Sequence, residues 1–141
     1  MRRIFSLLLI GILFSQDENN NFTFIIYPEL VGVGGAPSIN IEFPVSEYSI
    51  RVGVGMVVMQ AELYPIIIYK STGKSRSKSE IGTGLIFIDD GDEMDIGLVS
   101  SMNWKKVSKS GYSFRRLGIA LGFTINGYPI IMPTIGWGFN F

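Results

Sequence analysis

This sequence predicts an all-β chain that closes into an eight-stranded antiparallel up-and-down barrel, and three observations predict it. Apolar residues alternate with small or polar ones at period two in segment after segment. Gly makes up 17 of the 141 residues, well above the ordinary ~7%, and helical periodicity is missing throughout. The segments run mostly 9–14 residues. A tilted strand needs about 9–11 residues to cross a bilayer, whereas strands of soluble proteins most often have about 5–6. The expected fold is therefore a transmembrane β-barrel.

Phe24–Gly34 is the first segment and the least regular, its phase broken near Pro28. In Ala36–Val45, residues Ile39, Ile41, Phe43 and Val45 alternate with Ser38, Asn40 and Glu42. Tyr48–Val58 is cleanest, setting Tyr48, Ile50, Val52, Val54, Met56 and Val58 against Ser49, Arg51, Gly53 and Gly55. Glu62–Lys70 is apolar nearly throughout, which leaves its phase ambiguous. Glu80–Ile88 places Ile81, Thr83, Leu85 and Phe87 opposite Glu80, Gly82 and Gly84. Asp95–Lys105 is weakly patterned. Tyr112–Ile125 sets Leu117, Ile119, Leu121 and Phe123 against Arg116, Gly118, Ala120 and Gly122. The last segment runs to Phe141, with Ile131, Pro133, Ile135, Trp137, Phe139 and Phe141 on one face. Met132, Thr134, Gly136, Gly138 and Asn140 form the other. An even strand count brings the first and last strands' free ends to one side of the barrel.

Ahead of these strands, residues 1–15 read as a secretory signal peptide. Arg2 and Arg3 form its charged start, Ile4–Phe14 its apolar core, and Ser15 a small residue before the expected cleavage. The remaining Gln16–Phe141 is one barrel domain. Without Arg2 and Arg3 it has 10 basic residues against 12 acidic ones, a net charge of −2 that disfavours nucleic acid as a partner. The chain has no Cys and no His. That removes disulfides, thiolate chemistry, the commonest general base and the commonest metal ligand. The expectation is a non-enzyme with no catalytic residues, no cofactor and no metal.

The small-residue face carries isolated charges. Eight strands leave an interior just wide enough for side chains to fill. Small residues relieve crowding there, and buried charges must pair. Glu42 and Arg51 flank a turn at Ser46-Glu47 at matching distances. We expect an interior network of Glu42, Arg51, Glu80 and Arg116, and an interior plugged by its own side chains. Gly-x-Gly at Gly32/Gly34, Gly53/Gly55, Gly82/Gly84 and Gly136/Gly138 falls inside strand patterns. There it fits a close-packed sheet interior better than a dinucleotide site. Tyr27, Tyr48, Tyr64, Tyr69, Trp104, Tyr112, Phe123, Tyr128 and Trp137 lie mostly near strand ends, as interface girdles do.

With both termini on the periplasmic side, the turns there are Ser46-Glu47, Ser71–Ser79 and Lys106–Gly111. The opposite loops lie near Gly35–Pro37, Met59–Ala61, Asp89–Met94 and Asn126–Gly127, all short. Short loops argue against an adhesin or receptor. Asp89–Asp95 packs five carboxylates but lacks calcium-loop spacing, and reads as a solvated acidic hairpin. Gly73-Lys74-Ser75 lacks the Gly a phosphate loop needs four residues earlier, where Ile68 stands.

A run of short motifs begins with Tyr27-Pro28-Glu29-Leu30-Val31-Gly32, Ser38-Ile39-Asn40-Ile41-Glu42 and Ile50-Arg51-Val52-Gly53-Val54-Gly55. It continues through Tyr64-Pro65, Gly73-Lys74, Glu80-Ile81-Gly82-Thr83-Gly84, Phe114-Arg115-Arg116-Leu117-Gly118 and Gly136–Phe141. In these the chain resembles small outer-membrane β-barrel proteins of Bacteroidetes-like bacteria. Ile41 departs from the resemblance, standing where the pattern has Tyr. The resemblance implies the barrel fold and a place in the cell outer membrane, and carries no assigned activity; the role we expect is structural or envelope-related, without catalysis, in a monomer. Its implied partners are outer-membrane lipids and the barrel-assembly machinery, which would read Phe141. The alternative is a secreted or periplasmic soluble β-barrel that binds a small apolar ligand. Ile39, Val52, Val54, Leu85, Ile119 and Ile135 separate the two readings. They face lipid in the first, and core or ligand in the second.

Overall fold

The computed structural model describes residues 24–57, 61–74 and 76–140. The expected leader and Phe141 lie outside the described residues. Eight strands follow in chain order. They are β1 (Ile25–Val31), β2 (Ser38–Val45), β3 (Tyr48–Val57), β4 (Ala61–Lys74), β5 (Ser77–Asp89), β6 (Met94–Val107), β7 (Ser113–Thr124) and β8 (Pro129–Asn140). Each pairs antiparallel with the next, and β8 pairs back onto β1, so the barrel is closed. Among the described residues there is no helix.

Closure leaves no long sheet edge, and the period-two pattern decides which face is inside. On β8, Ile131, Pro133, Ile135, Trp137 and Phe139 are exposed, while Thr134, Gly136 and Gly138 are buried. On β3, Arg51, Gly53 and Gly55 are buried beside exposed Ile50, Val54 and Met56. The small-and-polar face is therefore the interior, as the sequence pattern predicts.

Some boundaries differ from the sequence reading. Residues 71–79 are not one long turn, because β4 continues to Lys74 and β5 begins at Ser77. The ladder persists through Ser71↔Glu80 and Gly73↔Lys78, so polar side chains do not end pairing once neighbouring strands supply the register. β6 likewise runs on to Val107. β1 is shorter than its segment: it stops at Val31, and Gly32 bridges back to Gly35 in a tight turn, with Gly35 at φ +99°. Gly has no Cβ to clash in that conformation.

The interior has two layers along the barrel axis. Toward the end where the four short loops lie, Val33, Leu63, Ile67, Ile86, Val99, Ala120 and Ile130 pack together. Toward the end holding both strand termini, the buried side chains include Glu29, Glu42, Arg51, Glu80, Lys105 and Arg116, and Ile25 and Phe114 pack with Tyr27. Glycines make room for the bulky members. Gly82 lies opposite Tyr69, and a Cβ there would stand 2.5 Å from the Tyr69 ring.

Candidate functional site

The interior charges come from six strands: Glu29 on β1, Glu42 on β2, Arg51 on β3, Glu80 on β5, Lys105 on β6 and Arg116 on β7. Three carboxylates face three cations, so the set is formally neutral. Arg116 is its centre. Its Nε donates to Glu80 Oε2 at 2.7 Å and its Nη2 donates to Glu42 Oε2 at 2.7 Å. Its Nη1 donates to the Tyr27 hydroxyl. Lys105 Nζ lies between the same two carboxylates, 3.5 Å from Glu42 Oε1 and 3.6 Å from Glu80 Oε1. Arg51 Nη1 donates to Glu29 Oε1 at 3.1 Å.

Tyrosines join these two groups. The Arg51 guanidinium stacks 4.2 Å from the Tyr69 ring centre and 5.4 Å from that of Tyr27, while Arg116 lies 4.9 Å from Tyr27. The negative ring faces attract both cations. Ser101 Oγ donates to the Tyr69 hydroxyl at 2.8 Å, which fixes that ring across the barrel. Arg51 and Arg116 are fully buried. Charges so enclosed need pairing of this kind, and their bonds tie β1 to β3, and β7 to β1, β2 and β5.

All four expected network residues are brought together, but not pairwise as their positions suggest. Glu42 and Arg51 are direct register partners, yet Glu42 turns to Arg116 and Lys105, and Arg51 to Glu29. The sequence reading missed Glu29, Lys105, Tyr27 and Tyr69. Tyr27 and Tyr69 also correct the girdle expectation. Both are wholly buried in the interior, where their hydroxyls find polar partners. Of the remaining girdle residues, Tyr48, Trp104, Tyr112, Phe123, Tyr128 and Trp137 are exposed, and Tyr64 is half-buried and donates to Glu62.

The outer face is the second feature. It exposes Ile26 and Leu30 on β1, Ile39 on β2, Val54 on β3, Ile68 on β4 and Leu85 on β5. It continues through Leu98 and Met102 on β6, Ile119 and Leu121 on β7, and Ile131 and Ile135 on β8. Five of the six residues that separate the two readings are thus exposed outside, and Val52 is half-buried on the same face. Thr83 and Ser100 interrupt the belt with hydroxyls, and these bond one another at 3.3 Å. Among the described residues, no outward position carries a charge between the row of Lys70, Lys106 and Arg115 near the terminus end and Glu62 and Asp89 near the loop end.

The two rims differ in sign. Lys70, Arg76, Lys78, Lys106, Lys109 and Arg115 lie at the terminus end, with Glu47 as the one carboxylate there among the described residues. Glu62, Asp89, Asp90, Asp92, Glu93 and Asp95 lie at the loop end, without a described Lys or Arg. In the acidic hairpin, the backbone N–H groups of Glu93 and Asp92 donate to Asp90 Oδ1 at 2.9 and 3.1 Å, and hold its carboxyl below the usual range. Among the described residues no cluster of His, Cys, Asp or Glu is arranged to hold a metal ion.

No family model, curated protein or solved structure matches the chain.

Proposed function

We infer that this protein is an integral β-barrel of a Gram-negative outer membrane with a structural, envelope-related and non-catalytic role. The observation that carries the reading is the uncharged apolar belt around a closed barrel, with the charges of the middle of the barrel turned inward and the outward ones confined to the two rims. A soluble monomer rarely exposes contiguous apolar patches beyond a few hundred Å². Lipid is the solvent such a belt fits, because every backbone group within a closed barrel finds its partner in the sheet. The soluble alternative needs Ile39, Val54 and Leu85 in a core, whereas they are exposed on the outer face. Envelope lipids around the belt are the partner this reading supplies. Its resemblance to small outer-membrane barrels points the same way.

The test is fractionation of cells expressing the full chain, followed by carbonate extraction and gel migration with and without heating. Retention in the outer-membrane pellet with a heat-dependent shift is expected. Release into the periplasm or medium would refute the reading. Val54→Arg, at an exposed position on β3, should weaken insertion by about 2–4 kcal/mol if the site lies near the bilayer midplane.

A further inference from the structure

One part of the outer face is chemically unlike the rest. At the terminus end of β6, β7 and β8, Lys106 and Arg115 are direct register partners, and Trp137 sits opposite Arg115 on the other side. The next outward row reads Trp104, Leu117 and Ile135, again in register. Two like charges placed directly opposite on neighbouring strands repel each other. Among the described residues neither has an ion-pair partner on the chain. Lys106 Nζ lies 5.9 Å from the Trp104 ring centre, and the Trp104 indole N–H donates to Ser77 Oγ at 2.6 Å, which fixes that ring. Trp104, Lys106, Arg115, Leu117, Ile135 and Trp137 line a groove of about 770 Å³, with Leu117 and Ile135 toward the apolar belt and the two cations at its border.

We propose that this groove binds an anionic phospholipid, its headgroup phosphate held between Lys106 and Arg115 and its acyl chain lying over Leu117 and Ile135 between Trp104 and Trp137. The proposal rests on the membrane reading above and adds to it which lipid is chosen and where. Charge decides the class of lipid. A phosphate diester with a neutral or anionic head relieves the repulsion between the two cations, and Arg115 can offer it a bidentate fork. A zwitterionic headgroup brings its own ammonium to the same place and gains less. The basic rim at the same end of the barrel favours anionic lipid there as well. Aromatic side chains at the border of the belt suit the headgroup level.

The chain provides its own probe, because Trp104 and Trp137 are its two tryptophans and both line the groove. The full chain is reconstituted into phosphatidylcholine vesicles that carry a small fraction of brominated lipid, either phosphatidylglycerol or phosphatidylcholine, and tryptophan quenching is measured. Brominated phosphatidylglycerol should be enriched at the groove. The enrichment should fall about five-fold for each of Lys106→Gln and Arg115→Gln, the equivalent of about 1 kcal/mol per basic side chain near an anionic surface. Heat-dependent gel migration confirms that each variant is inserted and closed. Equal quenching by the two lipids in an inserted barrel would overturn the proposal and leave the membrane reading standing. Enrichment that survives both substitutions would also overturn it. Absence of quenching by either lipid, with no heat-dependent shift, would overturn the membrane reading itself and this proposal with it.

Discussion

The two layers of the barrel interior fill the same narrow space by opposite means. Near the loops, Val33, Leu63, Ile67, Ile86, Val99, Ala120 and Ile130 fill it by volume. Near the termini, Glu29, Glu42, Glu80, Arg51, Lys105 and Arg116 fill it by pairing. Volume is graded: removing one methylene leaves a small void, and its cost grows with the void. Pairing is not graded, because removing one partner leaves a buried charge uncompensated. The comparison teaches that the long-range ties across the barrel are concentrated in the polar layer, although charge burial alone does not stabilise it.

The largest expected effect is at Arg116. Arg116→Met leaves Glu42 and Glu80 with Lys105 alone and should cost about 3–5 kcal/mol in urea unfolding of the reconstituted barrel. A loss under 1 kcal/mol would break the contrast between the layers. The Glu29–Arg51 pair sharpens it. Glu29→Leu and Arg51→Met should each cost about 3 kcal/mol or more, whereas both together should cost about 0–2 kcal/mol, read as a double-mutant cycle. Additive costs would mean that the pair is not coupled. In the apolar layer, Ile86→Val should cost about 0.5–1.5 kcal/mol by the same measurement.

The smallest effect is a titration at the loop end. Asp90 is held below the ordinary carboxylate range, so its hold on the hairpin is complete above that range and is lost as pH falls through the lowered value. The amide resonances of Asp92 and Glu93 should move together in that acidic window. Movement at or above the ordinary carboxylate value would contradict the hydrogen-bond geometry.

Much of this was legible in the sequence where the two faces of a strand differ most. β3, β7 and β8 set branched or aromatic residues against Gly, Arg and Ala, so both their faces and Arg51 and Arg116 could be read directly. β1 hid its phase because Tyr27 points in and Pro28 points out, which inverts the usual contrast and conceals Glu29. β4 was ambiguous because its inner face belongs to the apolar layer: Leu63 and Ile67 face in while Ile66 and Ile68 face out. In β6 the doublet Lys105-Lys106 offered no contrast at all, and only the barrel shows that Lys105 enters the network while Lys106 stays outside. The choice of partners depended on reach across the barrel, which period two does not encode.

The Arg116 bonds also have a kinetic meaning. They join residues 89, 74 and 36 positions apart in the chain, to Tyr27, Glu42 and Glu80 respectively. Contacts of such separation cannot form until hairpins built independently have been brought round to meet one another. We expect the network to act as a latch that sets late, once β1, β2, β5 and β7 have been brought together. Stability supplied late in assembly lengthens the lifetime of the finished barrel more than it hastens its formation. Arg116→Met should accordingly speed the opening of folded barrels while leaving their rate of closing nearly unchanged.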